Sequence, residues 1–153
     1  PKLLALSQVV LAPEAYGIWQ DQIEDAPELM YPPILERFRG GRHTLAADYV
    51  AGWECLARLR ADWARLVASF DAVILPTSPI LPPDANRLLT EPDFFAAENL
   101  LTLRNTRIAN LLGLPAISLP TGQPACGIML MGRAGQDRAL LTAAAGAEAA
   151  LRG

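Results

Sequence analysis

Only eight residues, Pro120-Thr-Gly-Gln-Pro-Ala-Cys-Gly127, separate two short apolar runs at residues 116–119 and 128–131. A parallel pair of strands needs a crossover of about a dozen residues or more, so a link this short permits only an antiparallel pair. A third run, Ala72-Val-Ile-Leu75, is also short and apolar, and Pro76 ends it. The three runs are expected to share one sheet, with 116–119 and 128–131 as antiparallel neighbours. The run at 72–75 does not alternate with polar residues, which predicts a strand covered on both faces.

Helices are expected around this sheet. Across residues 44–70, Leu45, Tyr49, Trp53, Leu56, Trp63, Leu66, Val67 and Phe70 recur at three- and four-residue steps and lay one apolar stripe along a helix. The stripe predicts core packing. Thr44 is the expected N-cap, and Asp48 suits the positive end of the helix dipole. Residues 3–22 read as a short strand or extended opening followed by a helix. Pro27, Pro32 and Pro33 punctuate a loop, with Pro33 in the first turn of a short helix that stops at Gly40-Gly41. Residues 77–84, with Pro79, Pro82 and Pro83, form a rigid loop at the C-terminal end of the first strand, where open α/β sheets usually bind ligands. Residues 93–99 and 103–112 read as helices, the second stopped by Gly113. Asp137 is the expected cap of a last helix over 138–151.

The chain has 153 residues, a hydrophobic fraction of 52% and a net charge of −3. The apolar fraction is high for a domain of this size, so part of that surface is expected to face a partner or more of the same polypeptide. Twelve of the thirteen basic residues are arginines, and they are scattered. That pattern and the net charge speak against a nucleic-acid footprint. Cys55 and Cys126 are too few and too far apart for a disulfide framework or a zinc knuckle, which suits a reducing, cytoplasmic setting. The apolar stretch at residues 3–11 is far too short to span a bilayer, so no membrane partner is expected.

The inventory of reactive groups is thin. The serines are Ser7, Ser69, Ser78 and Ser118, the only lysine is Lys2, and the only histidine, His43, sits between Arg42 and Thr44. No two serines lie in a glycine-rich turn that would present backbone donors to an oxyanion. The expectation is no catalytic residue in this chain, no metal site and no cofactor.

Three segments, in order, resemble the C-terminal third of the amidase signature family. Asp71-Ala-Val-Ile-Leu-Pro-Thr77 resembles the family's strand ending in Pro-Thr. Thr106, Asn110, Gly113 and Pro115 resemble its helix-to-strand turn. Gly127-Ile-Met-Leu-Met-Gly132, followed by residues 137–148, resembles its last strand and last helix. The resemblance covers about the last 110 residues. It implies an α/β fold, the C-terminal part of an α/β/α sandwich built on a mixed sheet. It also implies a parent enzyme that cleaves a carboxylic amide with a Ser–cis-Ser–Lys triad. The Gly/Ser-rich stretch that carries the family's two serines does not occur here. The sequence therefore reads as a C-terminal segment whose nucleophile is supplied by an N-terminal part: 1–43 an opening strand or helix with a proline-rich loop, 44–70 a long helix, and 71–153 strands and helices of the sheet.

By the same resemblance, the substrate-pocket wall would include Pro76, Thr77, Ser78, Leu103, Arg104 and Thr106. In the family's glutamine-hydrolysing branch an Asp, seven residues before the Asn matched by Asn110, holds the substrate ammonium. Leu103 stands there in this chain. Arg37 falls near that branch's carboxylate-binding Arg only by a loose alignment. The departure at Leu103 favours a less charged amide than glutamine. Expected partners are the small-molecule amide, the N-terminal part of the same protein and a second copy of the chain. The rivals are a non-catalytic binding module and a component of a glutamine amidotransferase.

Overall fold

The computed structural model describes residues 2–152. By internal contacts the chain divides into two compact units, Pro1–Leu59 and Arg60–Gly153.

The first unit is helical from Lys2 onward. No strand or extended opening precedes the helix expected within residues 3–22: α1 runs without a break from Lys2 to Asp25, with Pro13 inside it. Val9, Val10 and Pro13 lower the local helix preference. Burial overrides it, since Val10 is fully buried and Ile23 nearly so. A single 3-10 turn at Pro27–Leu29 follows, then α2 (Pro32–Gly40), with proline in its first turn as expected. Leu35 is the buried residue of α2. Arg39 on α2 pairs with Glu24 on α1, Nη2 to Oε2 at 2.6 Å, and Tyr16 Oη donates to the same carboxylate at 3.3 Å. The bond from Arg39 holds the Glu24 carboxyl below its ordinary range.

Helix α3 spans Ala46–Leu66, so it starts two residues later and ends four residues earlier than the sequence pattern predicts. Thr44 is not its cap. The Thr44 N–H closes the preceding 3-10 turn onto Gly41 O at 3.1 Å, and Leu45 O accepts the first helical bond, from Tyr49 N. Along the stripe Leu56 and Val67 are buried, and Tyr49, Trp53 and Trp63 are half-buried. Leu45, Leu66 and Phe70 are exposed, contrary to the expected continuous core face. Tyr49 Oη donates to Glu14 on α1 at 2.7 Å, and its ring meets Trp53 edge-on at 6.4 Å.

The second unit holds the sheet. Strands β1 (Val73–Pro76), β2 (Ala116–Pro120) and β3 (Gly127–Met131) form one antiparallel sheet in the order β1-β3-β2. The register pairs Leu75 and Ser118 with Met129 from either side. The eight-residue link thus joins antiparallel neighbours as its length requires. Between β1 and β2 lie α4 (Ala85–Thr90), α5 (Pro92–Thr102) and α6 (Thr106–Leu112); α7 (Asp137–Arg152) ends the chain. Asp84 caps α4, its Oδ1 accepting from Arg87 N at 2.9 Å. Gly113 stops α6 at a φ of 68°, a left-handed position that suits glycine. Asp137 lies in the first turn of α7, one residue inside the expected cap.

The strand period of two sorts the side chains onto two faces. Leu119, Leu130 and Ile128 pack on Leu140 and Ala144 of α7. Met129 and Met131 pack on Ala109 of α6, with Trp63, Val73 and Leu75 beside them. Helices therefore lie on both faces of the sheet, an α/β arrangement. The cover is incomplete at β1, where burial alternates and Ile74 is 62% exposed. The expected two-sided burial of that strand does not hold, because α7 covers β2 and β3 instead.

Candidate functional site

The C-terminal end of β1 is a corner fixed at several points. Pro76 has no N–H to give the ladder. Its carbonyl accepts a hydrogen bond from Asn105 Nδ2 at 2.8 Å. The next residue donates its backbone N–H to Gly127 O at 2.9 Å, and the Thr77 hydroxyl meets that of Ser118 on β2. Gly127 lies beneath that pair. A Cβ there would stand 2.9 Å from Thr77 Oγ1 and 3.0 Å from Ser118 Oγ, so a side chain at this position would press on the hydroxyl pair. Ser78 Oγ accepts from Ile80 N at 3.4 Å and faces a cleft of about 180 Å³ that Pro76, Pro79, Leu81 and Cys126 also line.

Residues 103–105 form the turn between α5 and α6. Leu103 is 39% exposed and lines an apolar cleft of about 260 Å³ with Pro83, Leu88, Phe95, Thr102 and the single carboxylate Glu98. Thr106 does not face that cleft; its hydroxyl donates to Leu103 O at 3.1 Å and closes the turn. Asn105 is 7% exposed, the one polar residue among the buried described side chains. It stands at the N-cap position of α6 but makes no side-chain cap. Its amide is turned to Pro76 instead, which leaves Oδ1 to accept from Arg104 Nε at 3.4 Å. The relay Arg104–Asn105–Pro76 links the two segments that the sequence pointed to, 76–78 and 103–106.

Asn105 itself and Ser118 were not picked out by sequence reasoning. The sequence reads 103–112 as one helix with Asn105 inside its first turn, and nothing local says that its amide reaches across 29 residues to β1. Two of the groups judged poor candidates make local bonds. Arg42 Nε donates to His43 Nε2 at 3.2 Å, and Ser7 Oγ donates to Leu4 O at 2.8 Å inside α1. Among the described residues no group of three His, Cys, Asp or Glu side chains could hold a metal ion, and no helix is long and apolar enough to cross a membrane. A larger cleft, about 420 Å³, is lined by Arg60, Trp63, Val67, Leu114 and Arg133. It lies toward the Val73–Met131 end of the sheet, away from the corner at Pro76.

Known proteins share these elements. The family model described as Amidase matches residues 17–141. The chain is 32% identical over 126 residues to a 2-amino-5-chloromuconic acid deaminase of Comamonas testosteroni, covering 80% of this chain and 27% of the relative. It is 30% identical over 141 residues to one subunit of the glutamyl-tRNA(Gln) amidotransferase of Halobacterium salinarum, covering 86% and 32%. A solved amidase crystal structure matches the fold with a TM-score of 0.73 at 22% identity, over 92% of this chain and 33% of that one. The chain spans about a quarter to a third of the length of these two curated relatives. The matched span takes in the Pro76 corner, the α5–α6 turn and all three strands, and on that match the chain belongs to the amidase family.

Proposed function

We propose that these residues form the C-terminal part of a hydrolase that cleaves a carboxylic amide, with the serine nucleophile supplied by sequence outside this chain. The observation that carries this reading is the amidase match over residues 17–141, in a segment with no serine pair in a glycine-rich turn. In this reading Pro76, Thr77, Ser78, Leu103, Arg104 and Thr106 belong to the wall of the substrate pocket, and no residue of this chain attacks the amide. The nucleophilic serine adds to the amide carbonyl and expels ammonia or an amine. Water then releases the acid from the acyl-enzyme. The role of this chain is to shape the pocket and hold the substrate's non-reacting part. Thr106 acts from behind, fixing the turn that presents Leu103 and Arg104.

Leu103 and its apolar cleft give the non-reacting part a hydrophobic contact. A second reading, the amide-cleaving component of an amidotransferase, is supported by the 30% identical relative that carries that name. Leu103 weighs against it, since a leucine offers nothing to the ammonium of glutamine. The test is to express the complete coding sequence and assay simple aliphatic and aromatic amides beside glutamine. Hydrolysis of simple amides, abolished by replacing a serine encoded upstream of this segment, supports the reading. Turnover of glutamine alone, and only with partner subunits present, favours the second. An encoded protein with no serine pair upstream of residue 1 overturns both.

A further inference from the structure

We infer that Arg104 is the anion-recognising residue of this pocket and that Asn105 is its positioning residue. The substrate would then be an amide that also bears a carboxylate, such as the half-amide of a dicarboxylic acid. This rests on the hydrolase reading above and adds the substrate class to it.

The argument starts from what Asn105 can do. Its side chain is buried, and a buried amide must satisfy both ends. Pro76 O is an acceptor only, so the NH₂ of Asn105 must face it. The carbonyl end is thereby fixed in the other direction, where Arg104 Nε donates to it. An exposed arginine is ordinarily free to sweep through many rotamers. Here one edge of the guanidinium is tied to a buried group that is itself tied to the end of β1. The Nη edge is left as the open, planar face that matches a carboxylate.

The charge on Arg104 is also uncompensated. Arg39, Arg65, Arg87 and Arg152 each pair with a carboxylate. Among the described residues Arg104 has no carboxylate within 4 Å; its one side-chain partner is the neutral amide of Asn105. Arg104 directly follows Leu103, which lines the apolar cleft, and is linked through Asn105 to the end of β1. An oriented cation there without a counter-ion has the chemistry to take the carboxylate of a short substrate whose carbon chain lies against Leu103. Glu98, the carboxylate lining that cleft, is the one group there that would favour the opposite charge, so the experiment must include a cationic amide.

The test uses the complete protein and three amides of similar length: succinamate, butyramide and the ammonium-bearing 4-aminobutyramide. The ratio of kcat/KM between amides is internal to each preparation, so loss of folded protein cancels. A hydrogen bond to a charged group contributes about 1.5–3 kcal/mol, which predicts a preference for succinamate over butyramide of about 10- to 100-fold. Arg104→Gln should bring that ratio close to one, through a higher KM for succinamate, and Arg104→Lys should restore part of it. Asn105→Ala should lower the ratio while keeping some preference, because the charge remains but its direction is lost. Equal use of succinamate and butyramide by the wild type, preference for 4-aminobutyramide, or an unchanged ratio in Arg104→Gln would overturn the assignment. If none of the three is cleaved, the hydrolase reading is judged on the wider amide panel above, and binding decides the anion site alone. Saturable binding of succinate, lost in Arg104→Gln, supports it; no binding overturns it.

Discussion

Asn105 shows how one buried polar side chain can set the geometry of a corner. Its removal leaves Pro76 O without its donor in a part-buried place. Leaving a buried acceptor unpaired costs about 1–3 kcal/mol. Asn105→Ala should therefore lower the unfolding free energy by about that amount in urea denaturation; a change of only a few tenths would mean that water replaces the amide at no cost. Glu24 makes a different residue-scale case. Its carboxyl lies below its ordinary value because Arg39 donates to the ionised form. A carboxylate with a depressed value in the folded state adds stability above its unfolded value and loses it as the pH falls through the folded one. Acidification through and below the ordinary carboxylate range should thus weaken the wild type more than Glu24→Gln. The pair is solvent-screened, so the difference should be small. Parallel loss in the two proteins, followed by circular dichroism from neutral to acid pH, would rule out the pair as a contributor.

At the scale of elements, the long helix α3 separates what a pattern can say from what packing decides. Leu56 is 1% exposed, and Leu56→Ala should cost about 2–5 kcal/mol by the cavity it leaves. Trp53 and Trp63 are only half-buried. Their truncation to Ala should cost less than the roughly 3–5 kcal/mol of a fully buried Trp. Denaturant midpoints for the three variants give the ranking, and a Trp53→Ala loss as large as that of Leu56→Ala would contradict it. The three- and four-residue spacing of these residues was legible because helix periodicity is local. The exposure of Leu45, Leu66 and Phe70 was not, because it depends on which neighbours arrive. The sheet was legible for a similar reason: an eight-residue link permits one geometry, and Pro and Gly mark its ends. The first part of the opening helix was missed because Val9, Val10 and Pro13 argue against a helix locally, while burial of Val10 decides for it. The two segments of the candidate site were named from the sequence, and their junction was not. Asn105 to Pro76 is a long-range bond that no local pattern encodes.

For the molecule as a whole, the question is what the second unit leaves uncovered. In the strand order β1-β3-β2, β1 and β2 each have one side without a partner strand among the described residues. Ile74 on β1 is 62% exposed, so one unpaired strand also carries an uncovered apolar side chain. Unpaired strand edges tend to recruit further strands, and apolar exposure strengthens that tendency. The isolated chain should therefore self-associate as its concentration rises, with β1 as the contact. Ile74→Lys places a charge on that strand, the means by which natural edges resist pairing. It removes little packing, since the side chain is largely in solvent. In sedimentation velocity the wild type should shift to larger species over a concentration series while Ile74→Lys stays monomeric, with the two thermal midpoints close together. Equal sedimentation of the two would move the contact away from β1. A marked drop in the midpoint of Ile74→Lys would show instead that Ile74 is held against something within the chain. The same strand that ends at Pro76 would then be covered on both faces, as its unbroken apolar run first suggests.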